Sequence, residues 1–256
     1  MVDFGIDTVI ATPGFLLYLY EWIITNKFDR GKLKLVRAIA ACEVYSNAIR
    51  KEIENKLQIK VFDHYGLCEV NTGIAYECLE MKGLHVLDDY VIPEIIDPET
   101  GKVLPDGEYG ELVLTSLKKE ASPVIRYRTK DITRLITDKC PCGRERIRID
   151  RIKSRVGETL FIKGIKIDPY ELRDFIKEKL GSKLFGGDMQ IVVRDNDIKF
   201  LPKIFLSLKK NDEEELKILT EKVYEQTKTK FIIEHVEPEF FNREKNNKVK
   251  FIIHEK

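Results

Sequence analysis

Residues 124–152 carry the sequence VIRYRTKDITRLITDKCPCGRERIRIDRI. Apolar and charged residues alternate in its first and last thirds, which predicts antiparallel strands that bury one face. Inside the first of these segments, Asp131 lies between Lys130 and Arg134. An aspartate in this setting either joins a solvated ion-pair ladder between strands or accepts hydrogen bonds from two vicinal hydroxyls, as a ribose requires.

The middle of this stretch holds two thiols one residue apart, Cys140 and Cys142. Neighbouring thiols in a reducing compartment either bind a metal or sit free in a surface turn. Upstream, Cys78 and His85 complete a set of three thiols and one imidazole, which are donors that tetrahedral zinc prefers. We therefore predict a structural zinc ion on these four residues, with free thiols as the alternative.

The composition narrows the class of protein. The chain has 256 residues, a formal net charge of +1 and five cysteines. The length suits one large domain or two smaller ones, and the balanced charge argues against nucleic-acid and membrane partners. The most apolar early segment, residues 15–24, is too short to span a bilayer and contains Glu21. The odd cysteine count and the lack of a secretory signal pattern predict a cytoplasmic protein.

Strands and helices alternate in the first quarter of the chain, which predicts a parallel sheet covered by helices. After Tyr65, strand-like runs separated by turns predict an antiparallel sheet or a distorted barrel. The predicted early strands are residues 8–11, 36–41 and 60–62, and the predicted helices between them are residues 15–26 and 46–56.

The pattern changes again near residue 153. A hairpin is predicted to turn at Lys163 and Gly164, and a helix to begin after Asp168, with a proline in its first turn. Further strands and an acidic-started helix complete a small α+β unit. We therefore predict an α/β and α+β chain with two domains, residues 1–152 and residues 153–256.

Several segments together resemble the phenylacetate–CoA ligase branch of the adenylate-forming (acyl-CoA synthetase) enzymes. They are HYGLCEV, GIAYECLEMKGLHV, PEIIDPETGKVLPDGEYGELVLTSLKKEASPVIRYRTKDITRL and GETLFIKGIKIDPYELRD. The related synthetases that adenylate a deazaflavin cofactor in methanogens share much of this. The resemblance implies that residues 1–152 are the C-terminal part of a large AMP-binding domain with a mixed sheet and distorted barrel. Residues 153–256 would be a small mobile domain.

The resemblance also implies ATP-dependent ligation of an acid to CoA, with AMP, magnesium and CoA as ligands. The segment of residues 73–78 matches the family's acyl-pocket wall, and its small residues suit an aryl acid such as phenylacetate. By motif, each matched residue takes an implied role. Cys42, Glu43 and Val44 line the adenine; Asp63, Tyr65 and Gly66 form the next adenine-facing turn; Glu69 contacts magnesium; Asp131 holds the ribose; Arg155 lies near the nucleotide; and Lys248, or else Lys250, neutralises the α-phosphate.

Three departures from the family pattern bear on function. Cys42 and Cys68 replace the small or hydroxyl residues expected in their motifs. The hinge position, usually acidic or lysine, falls on Gly157. The sequence contains no Ser/Thr/Gly-rich run such as SSGTTG to cradle the ATP phosphates. We therefore expect the C-terminal part of a ligase that does not adenylate alone: a truncated product, the product of a decayed or split gene, or a subunit completed by a partner chain that supplies the N-terminal part. A homodimer is the other expected assembly. The alternatives are an adenylyltransferase for a deazaflavin cofactor and a non-catalytic nucleotide-binding or regulatory module.

Overall fold

The computed structural model describes residues 1–194, 199–241 and 251–255. In chain order, the elements up to residue 157 are β1 (Thr8–Ala11), α1 (Pro13–Thr25), β2 (Arg37–Ala40), α2 (Asn47–Leu57), β3 (Lys60–Leu67), β4 (Asn71–Glu77), β5 (Leu84–Val86), β6 (Val91–Ile96), β7 (Gly110–Ser116), β8 (Tyr127–Thr133), β9 (Leu135–Ile136), β10 (Arg148–Ile149) and β11 (Ser154–Arg155). The remaining elements are β12 (Leu160–Ile162), β13 (Ile165–Ile167), α3 (Pro169–Leu180), β14 (Leu184–Arg194), β15 (Lys203–Leu208), α4 (Glu213–Thr227), β16 (Ile232–His235) and β17 (Ile252–Glu255).

The chain forms two compact units. The first unit comprises Met1–Pro13, Asp29–Tyr45 and Arg50–Gly157. The second comprises Gly14–Phe28, Ser46–Ile49 and the described part of Glu158–Lys256. A prediction that divides the chain at one position cannot place most of α1 in the second unit, where the structure has it. The division into domains at residues 152 and 153 stays a prediction.

The larger sheet of the first unit has the strand order β1-β2-β3-β4-β5-β10-β9. Strands β1, β2 and β3 are parallel, as the alternation with helices predicts. From β3 onward the pairing is antiparallel. The strand β3 therefore lies where the sheet changes direction, and the loops that follow β2 and β3 leave the sheet at its carboxyl edge.

A second sheet of the first unit has the order β11-β8-β7-β6 and is antiparallel. Within the part of the chain that the structure describes, these strands do not close on themselves, so the expected barrel is an open sheet. The core beside it is apolar, since Leu112, Leu114 and Ile74 are almost fully buried. Burial of such side chains is the main force that stabilises this unit.

The part of the second unit that follows residue 157 combines helices with an antiparallel hairpin and a mixed sheet. Strands β12 and β13 form the hairpin that turns at Lys163 and Gly164, and the remaining sheet has the order β16-β15-β14-β17. Asp168 caps α3 by accepting hydrogen bonds from two backbone N–H groups, with Pro169 next to it. An aspartate cap followed by proline satisfies the free N–H groups of the first turn, which confirms the predicted start of this helix.

No helix among the described residues combines the length and the apolar character that a membrane crossing requires.

Candidate functional site

Asp131 is held between a tyrosine and an arginine. It lies on β8, 6% exposed, and its Oδ2 accepts a hydrogen bond of 2.7 Å from the Tyr65 hydroxyl. Its Oδ1 lies 2.9 Å from Nε of Arg155, which is opposite Asp131 in the pairing of β11 with β8. A carboxylate offers about four acceptor positions on its two oxygens, more than these two contacts use.

The backbone around Asp131 is also fixed. The hydroxyl of Thr129 donates to the Leu112 carbonyl at 2.8 Å and accepts from the Asp131 N–H at 3.0 Å. The Arg155 guanidinium donates to the Thr129 carbonyl at 3.2 Å. These bonds leave the carboxylate little freedom to turn. Burial, together with the charge of Asp131, raises the pKa of Tyr65, so the phenol stays protonated and acts as a donor.

A second node surrounds Asp63 at the carboxyl end of the parallel strands. Its Oδ2 lies 2.8 Å from Nε of Arg151, and the same guanidinium donates to the Tyr45 carbonyl at 2.9 Å. The guanidinium carbon lies 4.1 Å from the centre of the Tyr45 ring, a cation–π contact. Arg151 thereby ties the loop after β2 to the middle of β3.

Glu77, at the end of β4, connects this node to a buried ion pair. Its carboxylate accepts from the Asp63 N–H at 2.7 Å and from Arg50 at 2.8 Å on each oxygen. The side chains of Arg50 and Glu77 are 7% and 0% exposed. A buried pair with these additional hydrogen bonds depends strongly on both partners, because either charge alone is costly to bury.

The other residues predicted for nucleotide contact fall in the loops that follow the parallel strands. Cys42 is exposed with a φ of 67°, so the chain turns sharply directly after β2. Glu43 and Val44 are half-buried in the same loop. Glu69 is exposed, and its carbonyl accepts from Nζ of Lys119 at 2.6 Å. The predicted Lys248 and its alternative Lys250 lie outside the described residues.

Gly66 occupies a position with no room for a side chain. The strands β3 and β4 shift register between Tyr65 and Leu67. A Cβ atom on Gly66 would lie 2.0 Å from the carbonyl oxygen of Thr72. The backbone of the neighbouring strand therefore requires glycine at this bulge.

The four predicted metal ligands are close together in the first unit. The ligand atoms of Cys78, His85, Cys140 and Cys142 all lie within 4.8 Å of one another. The sulfurs of Cys78 and Cys140 are 3.7 Å apart, and Sγ of Cys142 is 3.4 Å from Nε2 of His85. We call these four residues the thiol cluster. Their distance in sequence, with Cys78 and Cys140 separated by 62 positions, shows that the fold assembles the set.

The surroundings of Cys142 and His85 favour the protonation states in which these side chains bind a metal, whereas those of Cys78 do not. A hydrogen bond from the Arg144 N–H lowers the pKa of the Cys142 thiol. Burial and the nearby Arg148 lower the pKa of His85, which keeps the imidazole neutral. Burial raises the pKa of Cys78, the opposite effect. A cation would reverse that effect by stabilising the thiolate, since a metal deprotonates the thiols that bind it.

Backbone pairing and one buried arginine hold the frame of the thiol cluster. In β10, Arg148 pairs with His85 of β5 and its guanidinium donates to the carbonyls of Lys82 and Asp138. Arg148 is 3% exposed, so these carbonyl oxygens take the place of water around its charge. The arginine thus bridges the two loops that carry the cysteines.

Several residues of the site are missing from the sequence-based prediction, namely Tyr45, Arg50, Glu77, Thr129 and Arg151. Glu77, Thr129 and Arg151 hydrogen-bond directly to the predicted residues Asp63 or Asp131, whereas Tyr45 and Arg50 contact Arg151 and Glu77 in turn. One signal in the sequence was available for Arg151, since it follows Asp150 in a run of alternating arginine and isoleucine.

The chain is similar in sequence to curated ligases and in fold to solved ligase structures. The chain is 42% identical over 174 residues to phenylacetate–coenzyme A ligase of Pseudomonas putida, a match that covers 67% of this chain and 39% of that protein. It is 41% identical over 177 residues to phenylacetate–coenzyme A ligase of Escherichia coli K12, covering 68% of this chain and 40% of that protein. The chain thus spans about two fifths of the length of these relatives. No protein-family profile matches it.

Solved structures share the fold at lower identity. The structure of 2-hydroxyisobutyryl-CoA ligase in the postadenylation state, in complex with 2-HIB-AMP, aligns with a TM-score of 0.86 and 20% identity. That alignment covers 99% of this chain and 55% of the ligase. A benzoate CoA ligase from Burkholderia xenovorans LB400 aligns with a TM-score of 0.59 and 14% identity, covering 91% of this chain and 48% of that one.

Proposed function

Because this chain belongs to the phenylacetate–CoA ligase branch of the adenylate-forming enzymes, we propose that it provides the C-terminal part of an ATP-dependent acid–CoA ligase. The acid is an aryl acid such as phenylacetate, the substrate in the names of the relatives at 41% and 42% identity. The chain contributes ribose and adenine contacts and the small C-terminal domain. The phosphate-binding loop comes from polypeptide outside this sequence.

The observation that carries the proposal is the geometry of Asp131. Two hydroxyls on adjacent carbons of a ribose can donate to the two oxygens of one carboxylate. The Tyr65 hydroxyl and the Arg155 guanidinium hold Asp131 at 2.7 Å and 2.9 Å, so the carboxylate is oriented before the nucleotide arrives. Preorganisation of this kind strengthens binding because less freedom is lost when the ligand binds.

The adenine lies, on this proposal, between the loop of residues 42–44 and the turn at Asp63, Tyr65 and Gly66. Arg151 supports that arrangement because it contacts both the Asp63 carboxylate and the Tyr45 carbonyl. The two loops are then fixed relative to each other on one edge of the sheet, where α/β folds bind nucleotides.

The chemistry proceeds in two steps. A carboxylate oxygen of the acid attacks the α-phosphorus of ATP, the bond to pyrophosphate breaks, and an acyl-adenylate forms. The CoA thiolate then attacks the acyl carbon, and AMP leaves with the electrons of the broken C–O bond. By binding the ribose, Asp131 sets the position of the α-phosphorus for the first step.

Charge on the phosphates requires cations. A single carboxylate with the ATP phosphates is a normal set of ligands for magnesium, and Glu69, exposed after β3, suits that role. Lys248 is proposed to neutralise the α-phosphate during adenylation, with Lys250 as the alternative, because a fixed positive charge there stabilises the transition state. Replacing each lysine by methionine in a complete, active ligase assembly distinguishes the two.

The test is AMP binding by this chain, measured by calorimetry for the wild-type protein and for D131N. We expect D131N to bind AMP at least about tenfold more weakly, since a neutral amide accepts fewer hydrogen bonds from two hydroxyls. The matched control D106N changes an exposed aspartate in a turn and should bind as wild type. Equal affinities for D131N and wild type would refute the ribose assignment.

A second assay measures activity. Carboxylate-dependent exchange of pyrophosphate into ATP, with a panel of aryl acids and magnesium, reports adenylation. We expect no exchange by this chain alone and exchange when the missing N-terminal polypeptide is supplied. Products formed with and without CoA then separate a thioester-forming ligase from an adenylyltransferase for a deazaflavin cofactor.

The alternative is a nucleotide-binding or regulatory module that binds AMP without catalysing adenylation, and the exchange assay distinguishes it from the ligase. A separate observation concerns the edge of the sheet. The strand β1 is the edge strand on the parallel side of the larger sheet, and its residue Ile10 is 68% exposed. Parallel strands are normally covered on both faces and paired at their edges, so a partner chain or a second copy is the proposed neighbour of β1.

We also propose that the thiol cluster holds one structural zinc ion. With bonds of about 2.3 Å to sulfur and about 2.0 Å to nitrogen, tetrahedral zinc places two sulfurs about 3.8 Å apart and a sulfur and nitrogen about 3.5 Å apart. The distances of 3.7 Å and 3.4 Å fit this geometry. Four protein ligands leave no open position, so the metal stabilises the fold. A reducing compartment such as the cytoplasm keeps the thiols available.

Metal analysis of the purified protein tests the zinc proposal. We expect about one zinc per chain, lost in the double variant C140S/C142S, with a lower melting temperature. The matched control C68S alters an exposed thiol outside the cluster and should keep its metal. Unchanged zinc content in C140S/C142S would contradict the assignment.

A further inference from the structure

Cys78 is joined directly to the group that fixes the backbone of Asp63. Glu77 precedes Cys78 in the sequence, and its carboxylate accepts from the Asp63 N–H at 2.7 Å. Arg50 holds the same carboxylate on both of its oxygens. The direction of the Glu77 side chain therefore depends on the course of the chain at Cys78, where β4 ends.

His85 is connected through strand β10 to Arg151, the residue that fixes the side chain of Asp63. In β10, Arg148 pairs with His85, and Arg151 follows three residues later. Arg151 lies 2.8 Å from the Asp63 carboxylate and donates to the Tyr45 carbonyl. A shift of β10 along β5 would move Arg151 away from both partners.

The segments that connect the ligands have little regular structure. Residues 78–83 and 137–147 contain no helix or strand in the structure. Arg148 already joins the two segments at the Lys82 and Asp138 carbonyls. A metal ion that links Cys78 and His85 to Cys140 and Cys142 would add a second connection and order both segments together. The two routes then meet on Asp63, one at its N–H group and one at its carboxylate.

We propose that the thiol cluster is coupled to the nucleotide site, so that zinc on the cluster raises the affinity for the adenine nucleotide by fixing Asp63. This inference rests on the proposed function, because it takes Asp63 as part of an adenine-facing turn. It gives the metal a role beyond general stability. By thermodynamic linkage, the nucleotide must raise the affinity for zinc by the same factor.

The experiment compares AMP affinity for the zinc-loaded chain and for the chain after chelation, by calorimetry at equal ionic strength. We expect AMP to bind about tenfold more weakly after zinc removal and to recover when zinc is added back. The reverse measurement uses only the loaded protein, so it does not depend on the fold of the metal-free form. AMP should slow the release of zinc to a colorimetric chelator.

A positioning variant separates this coupling from general loss of structure. R151M removes the contact with Asp63 but leaves all four ligands in place. It should keep about one zinc per chain, bind AMP more weakly, and show a smaller difference in AMP affinity between loaded and metal-free forms. The matched control R126M alters an exposed arginine paired with Glu94 and should retain the full zinc effect.

Three results would overturn the coupling. Equal AMP affinities with and without zinc, together with zinc release that AMP does not slow, would refute the coupling and leave the nucleotide site standing. A full zinc effect in R151M would refute the route through Asp63. Absence of AMP binding by the zinc-loaded chain would overturn the coupling together with the proposed function.

Discussion

The hydroxyl of Tyr65 on β3 donates a 2.7 Å hydrogen bond to the carboxylate of Asp131 on β8, 66 residues further along the chain. This bond links the two sheets of the first unit at the proposed ribose position. The orientation of Asp131 therefore depends on Tyr65, for which the sequence motif alone implies only a contact with adenine.

Replacing Tyr65 by phenylalanine should lower the free energy of unfolding by about 2 kcal/mol, because a buried carboxylate loses a hydrogen-bond donor. Urea unfolding measures this loss. The variant Y90F is the control, since Tyr90 is 42% exposed, and its stability should stay within about 0.5 kcal/mol of wild type. A Y65F protein as stable as Y90F would show that water replaces the donor at no cost.

Replacing Arg50 by methionine should lower the free energy of unfolding by about 3–5 kcal/mol, because the buried Glu77 charge loses its partner. Denaturant titration with a probe of tertiary structure measures the change. R126M, which breaks an exposed pair, should cost less than about 1 kcal/mol. The double variant R50M/E77Q should recover part of the loss; if it is as unstable as R50M, the unpaired charge is not the cause.

Acidification should destabilise the protein in part through His64. Burial lowers the pKa of His64 below its ordinary value of 6.5, against the opposing effect of Asp63. The unfolded chain then takes up the proton at a higher pH than the folded protein does. The resulting stability is complete above pH 6.5 and is lost as the pH falls through the folded pKa.

Unfolding free energies of the wild type and H64Q, measured between pH 7.5 and pH 5, test this prediction. The wild type should lose stability more steeply than H64Q, by no more than about 1.4 kcal/mol per pH unit, the limit for one proton. Parallel curves for the two proteins would exclude His64 as the source of the difference.

Replacing Gly157 by alanine should lower the free energy of unfolding by about 1 kcal/mol. The φ angle of Gly157 is 86°, a conformation that side chains with a Cβ atom adopt at a cost. G157N should lose less, since asparagine tolerates positive φ better than alanine does. Chemical denaturation ranks the three proteins; an alanine variant as stable as wild type would show that the backbone relaxes at this position.

Local patterns predict much of the fold. The alternation of strands and helices predicts the parallel arrangement of β1, β2 and β3, and the Asp168 cap predicts the start of α3. The predicted third strand, residues 60–62, is too short, because β3 continues to Leu67 across a bulge. Between β5 and β6 the chain makes a turn, in which the Tyr90 N–H donates to the Leu87 carbonyl.

The contacts that orient the site depend on distant parts of the chain, and for that reason the sequence does not reveal them. Arg151 and Asp63 are 88 residues apart, and any of several aspartates could pair with this arginine on the basis of charge alone. The sequence pattern alone would place Arg148 on the exposed face of a strand. It can be buried because two carbonyl oxygens accept hydrogen bonds from its guanidinium. Residue type predicts the donors and acceptors, whereas the topology decides which of them meet.

The close approach of Gly66 to the Thr72 carbonyl affects how an alignment of related sequences would be interpreted. A Cβ atom at this position would lie 2.0 Å from that oxygen, so even alanine is excluded whether or not a nucleotide binds. Invariance of glycine here would report the spacing of two backbones and would say nothing about ligand contact. Evolutionary support for the nucleotide site has to come from residues that the fold leaves free to vary, such as the exposed Glu69.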